Sequence, residues 1–161
     1  MFLIKRVDRV KRSIMKGYYC SRYNIDHSVS IKSSTKIFGE GMIEIKKGTY
    51  FGANTYVVSN PAKAKISIGE NCMISHDVHI RTSQYEIGTI HLPKKKKRTI
   101  HDNITIGDNV WIGKGVYIKG GIIIGDNVTI GANSVVTKNI QKDKVVGGIP
   151  ARIISERTIV N

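Results

Sequence analysis

The chain of 161 residues has little of what several classes of protein need, with two cysteines, three prolines and one tryptophan. Two cysteines are too few for a disulfide framework, so free thiols in a reducing compartment are expected. Lys5 and Arg6 follow Met1 to Ile4 directly, where a secretory signal would have an apolar run. No run of about 18 apolar residues occurs, which argues against a membrane-spanning helix. These absences predict a cytoplasmic protein of one domain.

Acidic residues are also scarce, since 12 Asp and Glu stand against 26 Lys and Arg for a formal net charge of +14. Such an excess predicts an anionic partner, which is a set of phosphate groups, an acidic polymer or a lipid surface. The positive charge is concentrated in the N-terminal segment and in the run Lys94 to Arg98. Because it does not follow one recognition helix, nucleic acid is not the expected partner.

The first 24 residues have apolar side chains at helical spacing, with Leu3, Val7, Val10 and Ile14 between basic residues. This spacing predicts an amphipathic helix whose regular part ends near Gly17.

Branched aliphatic residues then recur every six positions. Such a period marks a solenoid in which each repeat buries its apolar side only by stacking on its neighbours. A six-residue side consists of a short strand with an inward aliphatic residue and a turn at Gly, Asn or Asp, and three sides make a coil of 18 residues. The strongest run is Ile106, Ile112, Ile118, Ile124, Ile130 and Val136, with second inward positions at Ile104, Val110, Val116, Ile122 and Val128. An all-β solenoid is therefore predicted over residues 25–155, with a tail at 156–161.

The six-residue spacing has one long interruption. Ile80 and Ile106 are 26 positions apart, and the residues between them include Pro93 and the lysine run. A loop protruding from the solenoid near 83–103 is predicted.

The stretch IGDNVWIGKGVYIKGGIIIGDNVTIGANSVVTKNIQKDKVVGGIPARII resembles the hexapeptide-repeat acetyltransferases, and IGENCMISHDVHIRTS is similar to their surface-polysaccharide branch. The resemblance implies a left-handed parallel β-helix, a homotrimer and acetyl-CoA as acetyl donor. It also implies an acceptor hydroxyl on a sugar, in capsule, lipopolysaccharide or exopolysaccharide synthesis.

The resemblance also assigns binding residues. The acyl-CoA arm is expected along small residues at Gly113, Gly131 and Ala132, although solenoid turns need small residues in any case. Trp111 is expected to line the acceptor pocket or to pack between subunits. The end motif VTKNIQKDKVVGGIPARII is expected to face the nucleotide phosphates through Thr137, Lys138, Pro150, Ala151 and Arg152.

The histidine that serves as general base in similar proteins is missing after the strand VHIRTS. The chain continues Gln84-Tyr85-Glu86-Ile87-Gly88, so alternative alignments place Glu86 or Tyr85 at the histidine position. A displaced histidine needs a smaller pKa shift than either of them to act near neutral pH. His79 and His91 are the first substitutes by position, and His101 is the third.

Several alternatives stay open. One alternative is a catalytically degenerate solenoid that binds CoA or sugar. Another is an N-acetyltransferase of an amino sugar or drug. The lysine run is exposed to solvent in one interpretation and contacts an anionic or lipid-linked acceptor in the other. The N-terminal helix caps the first coil, which is the preferred interpretation, or contacts the inner face of the membrane. No metal site is expected, since the spacing of His76, His79 and His101 does not match the metal-binding branch of this solenoid.

Overall fold

The inward residues that recur every six positions form one continuous core. The computed structural model describes residues 2–158, and of residues 2–9 and Arg12 it describes no side chains. The six residues from Ile106 to Val136 are buried, and so are the five predicted second inward residues. The residues that keep the same spacing earlier in the chain are also buried: Ile25, Ile31, Ile37, Ile45, Phe51, Val57, Ile68, Ile74 and Ile80. The short strands that carry them stack in parallel into three faces of a prism. The predicted solenoid is therefore present.

The three faces are made of very short strands. The first face contains β1 (Asn24–Ile25), β4 (Met42–Ile45), β7 (Lys65–Ile68), β12 (Ile104–Ile106) and β15 (Ile123–Ile124). The second contains β2 (Ser30–Ile31), β5 (Tyr50–Phe51), β8 (Met73–Ile74), β13 (Trp111–Ile112), β16 (Thr129–Ile130), β18 (Lys144–Gly148) and β19 (Ala151–Glu156). The third contains β3 (Lys36–Phe38), β6 (Tyr56–Val58), β9 (His79–Arg81), β14 (Tyr117–Ile118) and β17 (Val135–Val136).

Two corners of the prism turn through residues in the left-handed backbone region. Asparagine and aspartate tolerate this conformation better than other residues with a side chain. Their φ angles lie between 54° and 61° at Asn54, Asn71, Asp77, Asn109, Asn127, Asn133 and Asp143. The predicted Asn and Asp turns thus recur in most coils at these two corners, and Gly48 and Gly115 take the same position in two of the others.

The second inward position is polar in part of the N-terminal coils, which weakens the sequence pattern there. Thr35, Thr49 and Thr55 are buried, and their hydroxyls donate to the carbonyl oxygens of Gly52, Gly69 and Ser75 at 2.8–2.9 Å. Each bond joins one coil to the next, so no hydroxyl is left unsatisfied in the core.

Extra residues accumulate at the third corner, between the third and first faces. The register places Ile25, Ile45, Ile68, Ile106 and Ile124 on successive coils, so the chain advances by 20, 23, 38 and 18 residues per coil. The surplus lies in the segments 39–41, 59–64 and 82–103, which we call the insertion corner. The longest segment includes the antiparallel strands β10 (Ser83–Tyr85) and β11 (Thr99–His101), with 3₁₀ turns at Ile87–Thr89 and Lys94–Lys96.

The N-terminal helix α1 spans Phe2–Arg22 and passes through Gly17, so the prediction of an end near Gly17 is wrong. Its last turn docks on the first coil: Tyr19 is buried and its hydroxyl donates to the Thr35 carbonyl at 3.1 Å. This packing outweighs the cost of about 1 kcal/mol for glycine within a helix. Burial raises the pKa of the Tyr19 phenol, which favours the neutral hydroxyl that donates here.

Three further observations complete the fold. Cys20 and Cys72 are free thiols, and burial raises the pKa of Cys72. Strand β19 ends at Glu156, one residue into the predicted tail. Arg157 then donates to the Asn109 carbonyl at 2.6 Å. Residues 159–161 of the tail lie outside the described residues. Within residues 2–158, no helix has the length and apolar character needed to cross a bilayer.

Close stacking of the coils leads to a stability prediction. A Cβ added at Gly107 would lie 2.7 Å from the backbone nitrogen of Asp126, whereas a Cβ at Gly17 would meet nothing within 4 Å. Gly107→Ala should therefore destabilise the protein by about 1–3 kcal/mol. Gly17→Ala should stabilise it by about 0.5–1 kcal/mol through its helix propensity. Thermal unfolding followed by circular dichroism measures both, and equal melting temperatures for Gly107→Ala and wild type would contradict the close contact.

Candidate functional site

The hairpin of the insertion corner is fixed at its root between two neighbouring coils. Thr82 Oγ1 donates to the Asn60 carbonyl at 2.8 Å and accepts from the Asn60 amide at 3.0 Å. On the other side, a Cβ added at Gly120 would lie 2.5 Å from the Thr82 carbonyl oxygen. The rest of the segment projects from this root, and most of its side chains are exposed. Its returning strand places His101 opposite Ser83.

His101 is oriented by a backbone group at that root. Its Nδ1 lies 3.1 Å from the carbonyl oxygen of Asn60, which already accepts from Thr82. A carbonyl only accepts hydrogen bonds, so Nδ1 must carry the proton. In the neutral ring Nε2 then has a free lone pair, and this nitrogen can accept a proton from a substrate. His101 thus lies at the edge of the hairpin with its Nδ1 held by a backbone carbonyl.

His79 and His91, the first two histidine candidates, lie apart from this arrangement. His79 is exposed on the outer side of the third face, where its ring stacks on Tyr56 at 4.8 Å between centroids and 24° between planes. His91 is exposed between the two 3₁₀ turns of the hairpin. Among the described residues neither ring has a hydrogen-bond partner that would fix its tautomer. Both residues stay predictions for the general base, and their contacts orient them less than those of His101 do.

Glu86 and Tyr85 have contacts that support the hairpin. Glu86 Oε2 lies 2.7 Å from Arg98 Nε, and the Glu86 amide donates to the Arg98 carbonyl at 2.9 Å. The Tyr85 ring is exposed, with Lys97 Nζ 5.8 Å from its centroid. These contacts give Glu86 a structural role in closing the hairpin. They do not place either side chain against another candidate base.

Three of the predicted cofactor residues meet at the C-terminal end of the solenoid. Lys138, Ala151 and Arg152 line an open groove of about 580 Å³, together with the apolar side chains of Ile140 and Val146. The antiparallel strands β18 and β19 form one wall, and the segment after β17 forms the other. Two cations thus share a groove that also has an apolar wall.

The small residues predicted along the cofactor differ in what surrounds them. A Cβ at Gly113 would lie 2.6 Å from the Ala132 nitrogen, so coil stacking alone requires this glycine. A Cβ at Gly131 would meet nothing closer than the Val146 carbonyl at 3.5 Å, which is ordinary contact. Packing therefore does not explain Gly131. Ala132, Thr137 and Pro150 are exposed, and the structure does not place them on the groove wall.

Trp111 lies on the outer side of the second face with Met73 beside it in register. The two side chains are 49% and 59% exposed, so they form an apolar patch on the surface of the chain. Trp111 is on a different face from His79, and the single chain does not bring these two predicted site residues together.

The comparisons agree with this architecture. Residues 103–138 match the family model of the bacterial transferase hexapeptide with six repeats. This part of the chain therefore carries the hexapeptide repeat that the model describes. Its fold is the left-handed parallel β-helix that the resemblance implies. A search of curated proteins returns no match.

Solved structures of acyltransferases are similar to this hexapeptide-repeat chain. A maltose O-acetyltransferase from Clostridium difficile 630 is 28% identical over 96% of this chain and 84% of its own, with a TM-score of 0.62. The polysialic acid O-acetyltransferase OatWY is 25% identical over 83% of this chain and 63% of its own, with a TM-score of 0.66. AntD, an N-acyltransferase from Bacillus cereus in complex with dTDP and 3-hydroxybutyryl-CoA, shares the fold at 16% identity and a TM-score of 0.72, over 89% of this chain and 88% of its own.

The hydrogen bonds predict opposite tautomers for two histidines. His101 Nδ1 donates to a carbonyl, whereas His76 Nδ1 accepts from the Ala53 amide at 3.0 Å. Neutral His101 should therefore carry its proton on Nδ1 and neutral His76 on Nε2. Nitrogen chemical shifts of the imidazole rings, measured above the titration range, distinguish the two forms. The same tautomer in both rings would show that one of these bonds is absent in solution.

Proposed function

We propose that this chain is an acetyltransferase that moves an acetyl group from acetyl-CoA to a hydroxyl of a sugar, as part of a surface-polysaccharide pathway. The observation that carries the proposal is the groove in which Lys138, Ala151 and Arg152 meet, as the acetyltransferase motif predicts. The identities to a maltose and a polysialic acid O-acetyltransferase support a saccharide acceptor.

The groove suits the chemical nature of the donor. CoA carries phosphate groups at one end and a long, mostly uncharged arm with the thioester at the other. Lys138 and Arg152 would bind the phosphates, since charge-assisted hydrogen bonds to oxyanions are the strong ones. Ile140, Val146 and Ala151 would contact the uncharged part. Gly131, whose surroundings leave room for a Cβ, would let the thioester arm approach the backbone.

His101 would act as the general base. Its Nε2 would take the proton from the acceptor hydroxyl as that oxygen forms a bond to the thioester carbonyl carbon. Collapse of the tetrahedral intermediate breaks the carbon–sulfur bond, and the proton on Nε2 passes to the leaving thiolate. The Asn60 carbonyl would hold the ring orientation and stabilise the doubly protonated ring in between.

The lysine run favours an acceptor with negative charge. Lys94, Lys95, Lys96 and Lys97 are consecutive, and none lies within 4 Å of a carboxylate oxygen of a described residue. They belong to the same hairpin as His101. Like charges so close together repel one another, and an anionic saccharide or a sugar linked to a lipid pyrophosphate would relieve that repulsion.

We also propose that the protein acts as a homotrimer. Trp111 and Met73 form an apolar patch on a flat face, and a neighbouring subunit would bury it. Trp111 would then lie where one subunit meets the groove of another or the hairpin that carries its His101, which would agree with its predicted acceptor role.

Two other functions would use the same geometry. N-acylation needs the same donor groove and base but an amine acceptor, and AntD shows that the fold serves that chemistry. A degenerate binder would keep the groove and release no thiol. An amine acceptor separates the first of these from O-acetylation, and a measurement of donor binding apart from turnover identifies the second.

Replacing His101 should abolish turnover without loss of donor binding. Release of free thiol from acetyl-CoA is followed with a neutral disaccharide, a carboxylate-bearing saccharide and an amino sugar. His101→Ala and His101→Asn should lower kcat by about 10²- to 10⁴-fold, the usual contribution of a general base. The asparagine amide can still donate toward the Asn60 carbonyl, so this variant separates loss of the base from loss of the bond.

His79→Ala, His91→Ala and Glu86→Gln are the matched comparisons. If His79→Ala or His91→Ala loses turnover and His101→Ala does not, the base is assigned wrongly here. If wild type binds acetyl-CoA and releases no thiol with any acceptor, the binding-only alternative is correct.

The two groove cations should determine donor affinity. Lys138→Ala and Arg152→Ala each remove a charge-assisted contact worth about 1.5–3 kcal/mol, so each should weaken acetyl-CoA binding by about tenfold or more. Isothermal titration calorimetry measures this directly. Lys142→Ala is the control, because Lys142 lines the adjacent groove of about 730 Å³ rather than this one. Equal losses in all three variants would indicate a general electrostatic effect and no specific phosphate site.

A further inference from the structure

Helix α1 exposes an apolar stripe that the solenoid does not cover. Val10, Ile14 and Tyr18 are spaced four residues apart and therefore lie on one side of the helix. Their side chains are 53%, 66% and 56% exposed. At about 100° per residue they fall within roughly 80° of the helix circumference. In the sequence, Val7 and Leu3 precede Val10 at intervals of three and four residues, which is also helical spacing. A stripe of this length on one face is unlike the scattered apolar residues normal on a surface.

The helix docks through a different side. Among the helix residues whose side chains are described, Tyr19 is the buried one. It lies about 140° around the helix from Ile14. Lys16 Nζ, next to the same contact, donates to the His27 carbonyl at 2.5 Å. Capping of the first coil therefore uses the last turns of α1 and leaves the apolar stripe facing away. The prediction that this helix only caps the solenoid does not account for that stripe.

The charge of the helix limits what can cover the stripe. Phe2–Arg22 contains seven basic residues and one aspartate. An apolar stripe flanked by cations is the composition of helices that lie in the plane of an anionic lipid surface, with the apolar face among the acyl chains. A second copy of the helix would bring the same positive charge against this one, which opposes pairing of two such helices.

We propose that α1 docks this hexapeptide-repeat protein on an anionic membrane surface, with Val10, Ile14 and Tyr18 inserted and the flanking lysines and arginines at the headgroups. The site is separate from the donor groove and the hairpin, so the proposal does not depend on catalysis. Insertion would hold the solenoid at the membrane by its N-terminal end.

The test is flotation of the full chain with vesicles. Vesicles of phosphatidylcholine containing phosphatidylglycerol are compared with vesicles of phosphatidylcholine alone. The protein should float with the anionic vesicles only, and less in ~1 M than in ~0.1 M salt, because the Debye length falls from about 10 Å to about 3 Å. The double variant Val10→Ser, Ile14→Ser should bind about tenfold more weakly or worse, since each serine removes an apolar side chain from the lipid.

Ile123→Ser is the matched control, because Ile123 is 56% exposed on the solenoid and far along the chain from α1. It should float like wild type, and both variants should keep the wild-type melting temperature. Absence of flotation with anionic vesicles, or equal flotation of the double variant and wild type, would overturn the proposal. So would a double variant that changes the oligomeric state while vesicle binding persists, since the stripe would then be covered by a second copy.

Discussion

Everything in this molecule depends on the contact between one coil and the next. Each coil buries two inward side chains per face only because the neighbouring coil is about one strand spacing away. The glycines at the corners permit that approach, and at Gly107 and Gly113 even a methyl group would meet backbone atoms of the adjacent coil. The stack also fixes where polar groups can be placed, since the hydroxyls of Thr35, Thr49 and Thr55 donate to carbonyls of the following coil.

The same constraint separates the functional parts. Outward side chains and the segments of the insertion corner can vary without affecting the stack, and they carry the groove cations and the hairpin. Lys138 and Arg152 lie where the stack ends and no further coil fills the space. His101 lies where an insertion leaves the stack. The structure thus keeps a rigid core, and the groove and the hairpin that the proposed function uses lie at its end and its edge.

The sequence predicted the core well because the rule that builds it is local. A buried aliphatic residue every six positions can be counted without knowledge of the fold, and every counted residue is buried. The count was weakest where Thr35, Thr49, Thr55 and Cys72 replace aliphatic residues, since their suitability depends on partners in another coil. The helix end was misplaced because Tyr19 packing outweighs the local preference of Gly17. No local pattern favours His101 over His79 and His91, because the group that orients its ring is the carbonyl of Asn60, 41 positions earlier.

The insertion corner has a consequence for folding and for variation in length. Coils that advance by 18 residues close short loops, so the regular region from Ile104 to Val136 is the part in which native contacts are most local. The coil that carries the hairpin advances by 38 residues, about a doubling, and each doubling of a loop adds only about 0.6 kcal/mol to the entropy of closure. Chain length at this corner is therefore nearly neutral for stability. A hairpin of another length or charge could replace this one while the stack and the groove at its C-terminal end stay the same.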